Sequence, residues 1–313
     1  MSKDISIIGA GVIDVLAGAV DEKIFSRSST ATDFITSAFG GDALNEAVAL
    51  SRLGKNVQWL SKVGDDDVGR RILNYAEAHG IDISRVKVQA GLDTAINLVL
   101  VDSRGERHFL TNPNSSLRKL SAEDILPHVD ETAPIVSFAS MFVSPLLDIP
   151  ATEKIFSRIK SGGRILTADT TRPKNGESLD DLATLFRYVD YFLPNESELA
   201  ALTGSTDVDE NISALLACGL KCAVVKRGGK GCVIATKTER HEISACPVEK
   251  VIDTTGAGDC FAAGFLFALS EKMSLVECGK FACAVASCSV EAVGAVTGVT
   301  SLAKVLARYE KMR

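Results

Sequence analysis

Residues 252–265, "IDTTGAGDCFAAGF", decide the reading of this chain. Gly256-Ala257-Gly258 has the small residues of a loop whose N–H groups can approach an anion closely. Beyond it, Phe261, Phe265, Leu266 and Leu269 form one apolar stripe at helical spacing, so the loop is expected to end at a helix N-terminus. Unpaired N–H groups and the helix dipole attract anions there. Asp259 follows at once, and its carboxylate should repel the same anion. A capping role would account for the acid, at about 0.5–2 kcal/mol, but not for the Gly-Ala-Gly before it. The combination fits phosphoryl transfer: the N–H groups hold the group in flight, and the acid faces the incoming hydroxyl.

Around this stretch, short apolar runs alternate with helical patterns. "ISIIGAG" precedes "NEAVALSRLG", and "VQWLSKVG" precedes "VGRRILNYAEAHG"; "PIVSFAS", "RILTADT", "VDYFLPN" and "CAVVKRGG" each precede a helix candidate. Strands alternating with helices of this length predict βαβ units and a doubly wound, mostly parallel sheet with helices on both faces. Two stretches break the rhythm. Residues 86–111 read as strands with "DSRGE" as a hairpin tip, and residues 16–38 lack a clear helix. Together they are expected to build a small β lid within a single catalytic domain spanning residues 1–313.

The 313 residues are 46% hydrophobic and 24% charged, the composition of a folded globular protein. A net charge of −6 argues against nucleic acid as the main partner, since phosphate backbones call for basic stripes. The apolar runs are too short to span a bilayer, and the N-terminus has no basic start before a cleavable apolar region, so a cytoplasmic protein with no membrane partner is expected. All eight cysteines follow residue 217 without a C-x-x-C pair. Cys260, Cys278, Cys283 and Cys288 lie in alanine-rich helical sequence, where reduced, buried thiols are expected.

Four further motifs each carry two readings. In "IIGAGVID", Gly9-x-Gly11 opens like a dinucleotide fingerprint, but Asp14 occupies the position that must be small, which argues against NAD. Asp14 is instead expected at the carboxyl end of the first strand, accepting hydrogen bonds from ligand hydroxyls. In "FGGDALNEAVALSRLG", Gly40-Gly41 either caps a helix or brings Asp42 and Asn45 to a polyhydroxylated ligand. In "LPNESELAALTG", Asn195 and Glu198 have capping-box spacing, and the same spacing sets them on one side to orient hydrated Mg2+. In "VVKRGGKGCVI", the glycine turn joins two strands, and Lys226 or Arg227 is placed to neutralise phosphate charge.

"GGDALNEAVALSRLG", with Gly64 following, and "DTTGAGDCFAAGFL" together resemble the two signatures of the PfkB, ribokinase-like carbohydrate kinases, and "PNESE" and "VVKRGGKG" fall between them in that family's order. The resemblance spans essentially the whole chain. It implies a ribokinase-like fold, transfer of the ATP γ-phosphoryl group to a sugar hydroxyl, Mg2+, a monovalent cation such as K+, and a homodimer formed through the β lid. It makes Asp259 the catalytic base and Gly256, Ala257 and Gly258 the anion hole. Asn195 and Glu198 match the Asn-x-x-Glu motif for Mg2+ and phosphate. Asp14, Gly41 and Asn45 match positions that bind substrate hydroxyls. Lys226, Gly229 and Gly231 border the nucleotide, and Asp253, with backbone near Ala292 and Gly294, matches the monovalent-cation region.

Departures from the family pattern narrow the substrate. Asp42 replaces a lysine common in ribokinases, Val143 stands where their substrate-binding Glu aligns, and Cys283 replaces an Asn near the adenine. "GGDALN" and "ADTTRP" are closer to the subgroup acting on 2-keto-3-deoxygluconate and related sugar acids or aldonates. Arg107 and Arg172 are then candidate carboxylate clamps, because arginine pairs bidentately with carboxylates. A fructokinase-like or nucleoside kinase and a non-enzymatic sugar sensor are the alternatives. A nucleoside kinase would need lid aromatics to sandwich a base, and Phe34 and Phe39 form no evident pair.

Overall fold

The computed structural model describes residues 2–312. The chain enters the main sheet with β1 (Ile5–Ile8), then leaves it for β2 (Val12–Val20) and β3 (Phe34–Gly40). It returns through α1 (Asp42–Arg52), β4 (Val57–Gly64), α2 (Asp67–Ala78) and β5 (Asp82–Gln89). A second excursion makes β6 (Ile96–Asp102) and β7 (Arg107–Thr111), followed by α3 (Ala122–Ile125). Then come β8 (Ile135–Met141), α4 (Ile149–Ser161), β9 (Ile165–Thr170), α5 (Leu179–Phe186), β10 (Tyr191–Phe192), α6 (Glu196–Thr203) and α7 (Val208–Ala217). The chain closes with β11 (Cys222–Lys226), β12 (Cys232–Ala235), β13 (Arg240–Ile243), α8 (Ala257–Ser270), α9 (Leu275–Ser289) and α10 (Leu302–Tyr309).

The main sheet has nine strands in the order β13-β12-β11-β10-β9-β8-β1-β4-β5. Pairing is parallel from β11 to β5, and β12 runs antiparallel to both its neighbours. Strands buried on both faces read as continuous apolar runs, as in the fully buried "VQWLSKVG" of β4. One face packs against α1, α2, α8, α9 and α10, and the other against α3 through α7. The chain runs from β1 outwards to β4 and β5, then resumes at β8 on the opposite side of β1. That reversal opens a crevice beyond the carboxyl ends of β1 and β8, where open α/β sheets bind ligands.

The small sheet has the order β3-β2-β6-β7, and Arg107 on β7 ties it to Asp253 in the loop before α8. Its strands correct the expected lid boundaries of 16–38 and 86–111. Residues 86–89 belong to the edge strand β5 of the main sheet, held by parallel pairing with β4. The small sheet instead begins at Val12. The hairpin at "DSRGE" forms as expected: the Asp102 amide donates to Glu106 O at 2.9 Å, and Asp102 Oδ1 caps the turn amides of Arg104 and Glu106. Asp14 also moves. β1 stops at Ile8, so Asp14 lies on β2, partnered with Ala38 and Asn97, rather than at the end of the first strand. Register places Asp14, Asn97 and Arg107 on one face of the small sheet and Ile35, Ile96, Leu98 and Leu110 on the other.

All eight cysteines are free thiols, and all except Cys218 are buried. No helix among the described residues is long and apolar enough to cross a membrane.

Candidate active site

The glycine loop ends at a helix, as its sequence requires. Gly256 is the N-cap of α8 at φ 67°, and a Cβ there would come within 2.5–2.7 Å of Ala295. Only glycine meets both demands. Asp259 therefore stands in the first turn of α8, where it accepts a 2.7 Å hydrogen bond from Asn45 Nδ2. Asn45 lies in the first turn of α1, whose N-cap Gly41 has φ 94° and would otherwise press a Cβ to 2.6 Å from Ala10 O. Both glycine turns thus allow two helix starts to meet. Burial raises the Asp259 pKa well above the ordinary carboxylate value; Asp42 and Asp169 add to the rise, and Asn45 and Lys226 oppose it. A raised pKa makes a carboxylate a stronger base, the direction that general-base catalysis needs.

A cleft of about 460 Å³ runs from Asp42 and Asp259 past Asp169 and Lys226 to Asn195 and Glu198. Ala257 and Gly258 form part of its wall, with Gly229, Gly231 and Cys283 also on its lining. Lys226 makes an ion pair with Asp169 in this interior. Burial pushes Asp169 up to about 7, with Lys226 pulling it down and Glu198 pushing it further up. Burial disfavours the Lys226 ammonium, but Asp169, Glu198 and Asp259 together raise its pKa and keep it charged.

At the start of α6 the capping reading holds: Asn195 Oδ1 accepts from the Ser197 and Glu198 amides at 2.9 Å, and the Asn195 amide donates to Glu198 Oε2 at 2.8 Å. Both residues nevertheless line the cleft, so capping and ligand contact are compatible. Burial raises Glu198, opposed by Lys226 and the Asn195 amide.

The other expected residues are distributed around this cleft. Asp14 accepts from Asn97 Nδ2 at 2.8 Å; burial raises its pKa, Asn97 opposes, Asp42 raises it and Arg107 lowers it. Asp42 accepts a hydrogen bond from the Ser140 hydroxyl at the end of β8. Arg107 pairs with Asp253 at 2.6 Å and also bonds Thr255, tying the small sheet to the loop before α8. Asp253 is further held by Thr255 N at 2.9 Å, Thr255 Oγ1 at 2.6 Å and Gly294 N at 2.9 Å. Burial alone would raise its pKa, but these donors bring it down to about 2. Its carboxylate anchors the loop rather than presenting an open ligand. Arg172 is exposed beyond β9 and is not part of the cleft wall.

One group escaped the sequence reading. Glu46, adjacent to Asn45, is 1% exposed and accepts from Ser137 Oγ at 2.8 Å, while its Oε1 is buried without a partner. Burial first, then Asp169 and the nearby Asp259 and Asp42, raise its pKa well above the ordinary value. The signal was an acid directly before the apolar run "AVAL" of α1.

Asp169, Glu198 and Asp259 thus surround Lys226, with Asp42 and Glu46 within electrostatic reach of Asp259. This acidic excess fits a divalent cation. Glu198, as a single carboxylate beside a cleft open to water and phosphate oxygens, suits the few protein ligands Mg2+ takes.

Residues 2–302 match the model of the pfkB family of carbohydrate kinases. The chain belongs to that family. This pfkB-family kinase is 28% identical over 287 residues to fructokinase-1 of Zea mays, covering 87% of this chain and 88% of the relative. It superposes with TM-score 0.83 on Arabidopsis thaliana ribokinase complexed with ribose and ATP, at 25% identity, covering 99% of both chains. It shares its fold with an E. coli structure solved in complex with ATP and Mg2+, with TM-score 0.84 and 22% identity over 99% of this chain and 100% of that one. The fold is ribokinase-like, and the family's members are sugar phosphotransferases.

Proposed function

We propose that this kinase transfers the γ-phosphoryl group of ATP to a hydroxyl of a sugar acid, with 2-keto-3-deoxygluconate-like acids or aldonates favoured. The observation that carries phosphoryl transfer is the Asn45–Asp259 hydrogen bond at the N-terminus of α8, on the edge of a cleft deep enough for a nucleotide. Asp14 and Asn45 orient the sugar so that one hydroxyl approaches Asp259. Asp259 accepts that hydroxyl's proton as the new bond forms, and the N–H groups of Ala257 and Gly258 stabilise charge on the transferred group. Lys226, Gly229 and Gly231 border the nucleotide, and Cys283 lies on its base side. Glu198, with Asn195, would hold Mg2+ through water; when bound, the ion neutralises phosphate charge. The small sheet excludes water from the site.

The acid preference rests on the "GGDALN" and "ADTTRP" motifs, while Asp42 in place of lysine and Val143 in place of glutamate argue against ribose. A neutral ketose is the second reading, favoured by the similarity to a fructokinase. K+ near Asp253 would depend on main-chain carbonyls, because the carboxylate itself is engaged. A homodimer through the small sheet is supported by its outward face, where Ile35, Ile96, Leu98 and Leu110 are 72, 43, 38 and 55% exposed. ADP release in a coupled assay over aldonates, keto-deoxy acids, hexoses, pentoses and nucleosides tests the assignment. Fastest turnover of the acids is expected; turnover of neutral sugars alone would overturn the acid preference.

A further inference from the structure

A second pocket adjoins the acceptor end of the cleft. It lies beyond the carboxyl ends of β8 and β9, and its lining includes Phe142, Val143, Lys174, Glu177 and Arg118. Ser140, whose hydroxyl bonds Asp42, is two residues from Phe142, and Asp42 lies within electrostatic reach of Lys174. Chain neighbours thus divide between the two: Ala139 and Thr171 line the cleft, and Phe142 and Lys174 line this pocket.

Its two cations lack a carboxylate partner. Arg118, half-buried in the turn Ser116–Arg118, donates one guanidinium hydrogen to Val143 O at 2.5 Å, and no ion pair involves it or Lys174 among the described residues. The acids lining the pocket are committed to local turns. Asp148 caps α4 through the Ala151 amide, Asp181 binds Ser178, and Glu177 accepts from the Lys174 and Asn175 amides. Arg118 and Lys174 stand close enough to repel: Lys174 is pushed down by partial desolvation and by Arg118, against the pull of Asp42 and Glu177. Phe142, next to the Val143 carbonyl that Arg118 meets, has φ 66°, a left-handed backbone that a non-glycine residue rarely adopts. A half-buried guanidinium with a single carbonyl acceptor, and an exposed lysine lining the same pocket, point to an anionic occupant.

We propose that Arg118 and Lys174 form an anion subsite that binds the carboxylate or phosphate of an acidic sugar whose hydroxyl end reaches Asp259. This rests on the sugar-kinase reading above, and it places acid recognition on Arg118 and Lys174 in place of Arg107, which is engaged by Asp253, and Arg172, which lines neither the cleft nor this pocket. Arg118 supplies the planar fork and Lys174 the movable point charge.

The test compares kcat/KM for gluconate, 2-keto-3-deoxygluconate, fructose 6-phosphate and neutral fructose in the wild-type enzyme and in Arg118→Met, Lys174→Met and the double variant. Arg118→Lys serves as the conservative control for folding. The wild type is expected to favour an acidic sugar, with the carboxylate and phosphate arms showing which oxyanion it takes. In the double variant the acid-to-neutral ratio of kcat/KM falls about 10²-fold, mostly through KM, and Arg118→Lys recovers part of it. An unchanged ratio overturns the subsite while leaving the kinase reading intact. If no sugar is phosphorylated, the kinase reading fails, and calorimetry with the same four compounds decides the subsite separately. Acid binding lost in the double variant supports it; equal binding by both proteins, or no binding of any acid, overturns it.

Discussion

Asn45 Nδ2 donates to Asp259 Oδ2 at 2.7 Å, joining the first turns of two helices that are 214 residues apart in sequence. This bond lowers the proton affinity of a carboxylate that burial and Asp42 raise. Asn45→Leu removes it, so Asp259 becomes harder to ionise. The acid limb of the pH profile of kcat/KM is expected to move to higher pH, with a reduced plateau. A profile that falls in height without moving would show that Asn45 only positions the substrate.

Lys226 neutralises Asp169 and Glu198 in the interior of the cleft. Removing one partner of a buried pair leaves an uncompensated charge, so Lys226→Met is expected to cost about 3–5 kcal/mol. Asp169→Asn in the same chain should recover much of that loss. Urea denaturation of the two single variants and the double variant measures the coupling, and strictly additive losses would contradict a shared ion pair.

Glu46 has a folded pKa well above its ordinary value of 4.5. A carboxylate raised in this way is harder to ionise in the folded chain than in the unfolded one. Wild-type stability relative to Glu46→Gln is therefore greatest below about pH 4.5 and declines as pH rises through the folded pKa. Paired melts from pH 4 to 9 should show the variant gaining on the wild type. A constant difference across that range would mean that Glu46 is ionised in the fold throughout.

Asp253 shows the opposite sign. Its folded pKa of about 2 lies below the ordinary 3.8, so its contribution is present above pH 4 and disappears as pH falls through 2. Asp253→Asn is expected to lose about 1–2 kcal/mol at pH 7, allowing for solvent screening. Denaturation at pH 7, 4 and 2.5 should find the gap to wild type narrowing only below pH 4. A gap that persists undiminished would place the loss in packing instead of charge.

The parallel sheet, the glycine turns and the helix starts were legible because each depends on local periodicity or on a backbone that only glycine adopts. Gly256, Gly41 and the "DSRGE" hairpin lie where their residue types demand. Pairings across long separations were not legible. Residues 86–89 look like lid strand until β4 is seen beside them, and Asp14 looks like the end of β1 until β2 pairs with β3 and β6. The same holds for charge. Arg107 reads as a free clamp because nothing near it in sequence reveals Asp253, and Glu46 draws no reading because its burial comes from the sheet beneath α1.

The most direct test of the central claim is single-turnover and steady-state phosphorylation of the best sugar by Asp259→Asn. The Asp259 base predicts kcat lower by about 10²–10⁴-fold with sugar and ATP binding changed no more than a few-fold. Turnover within a few-fold of the wild type would contradict it.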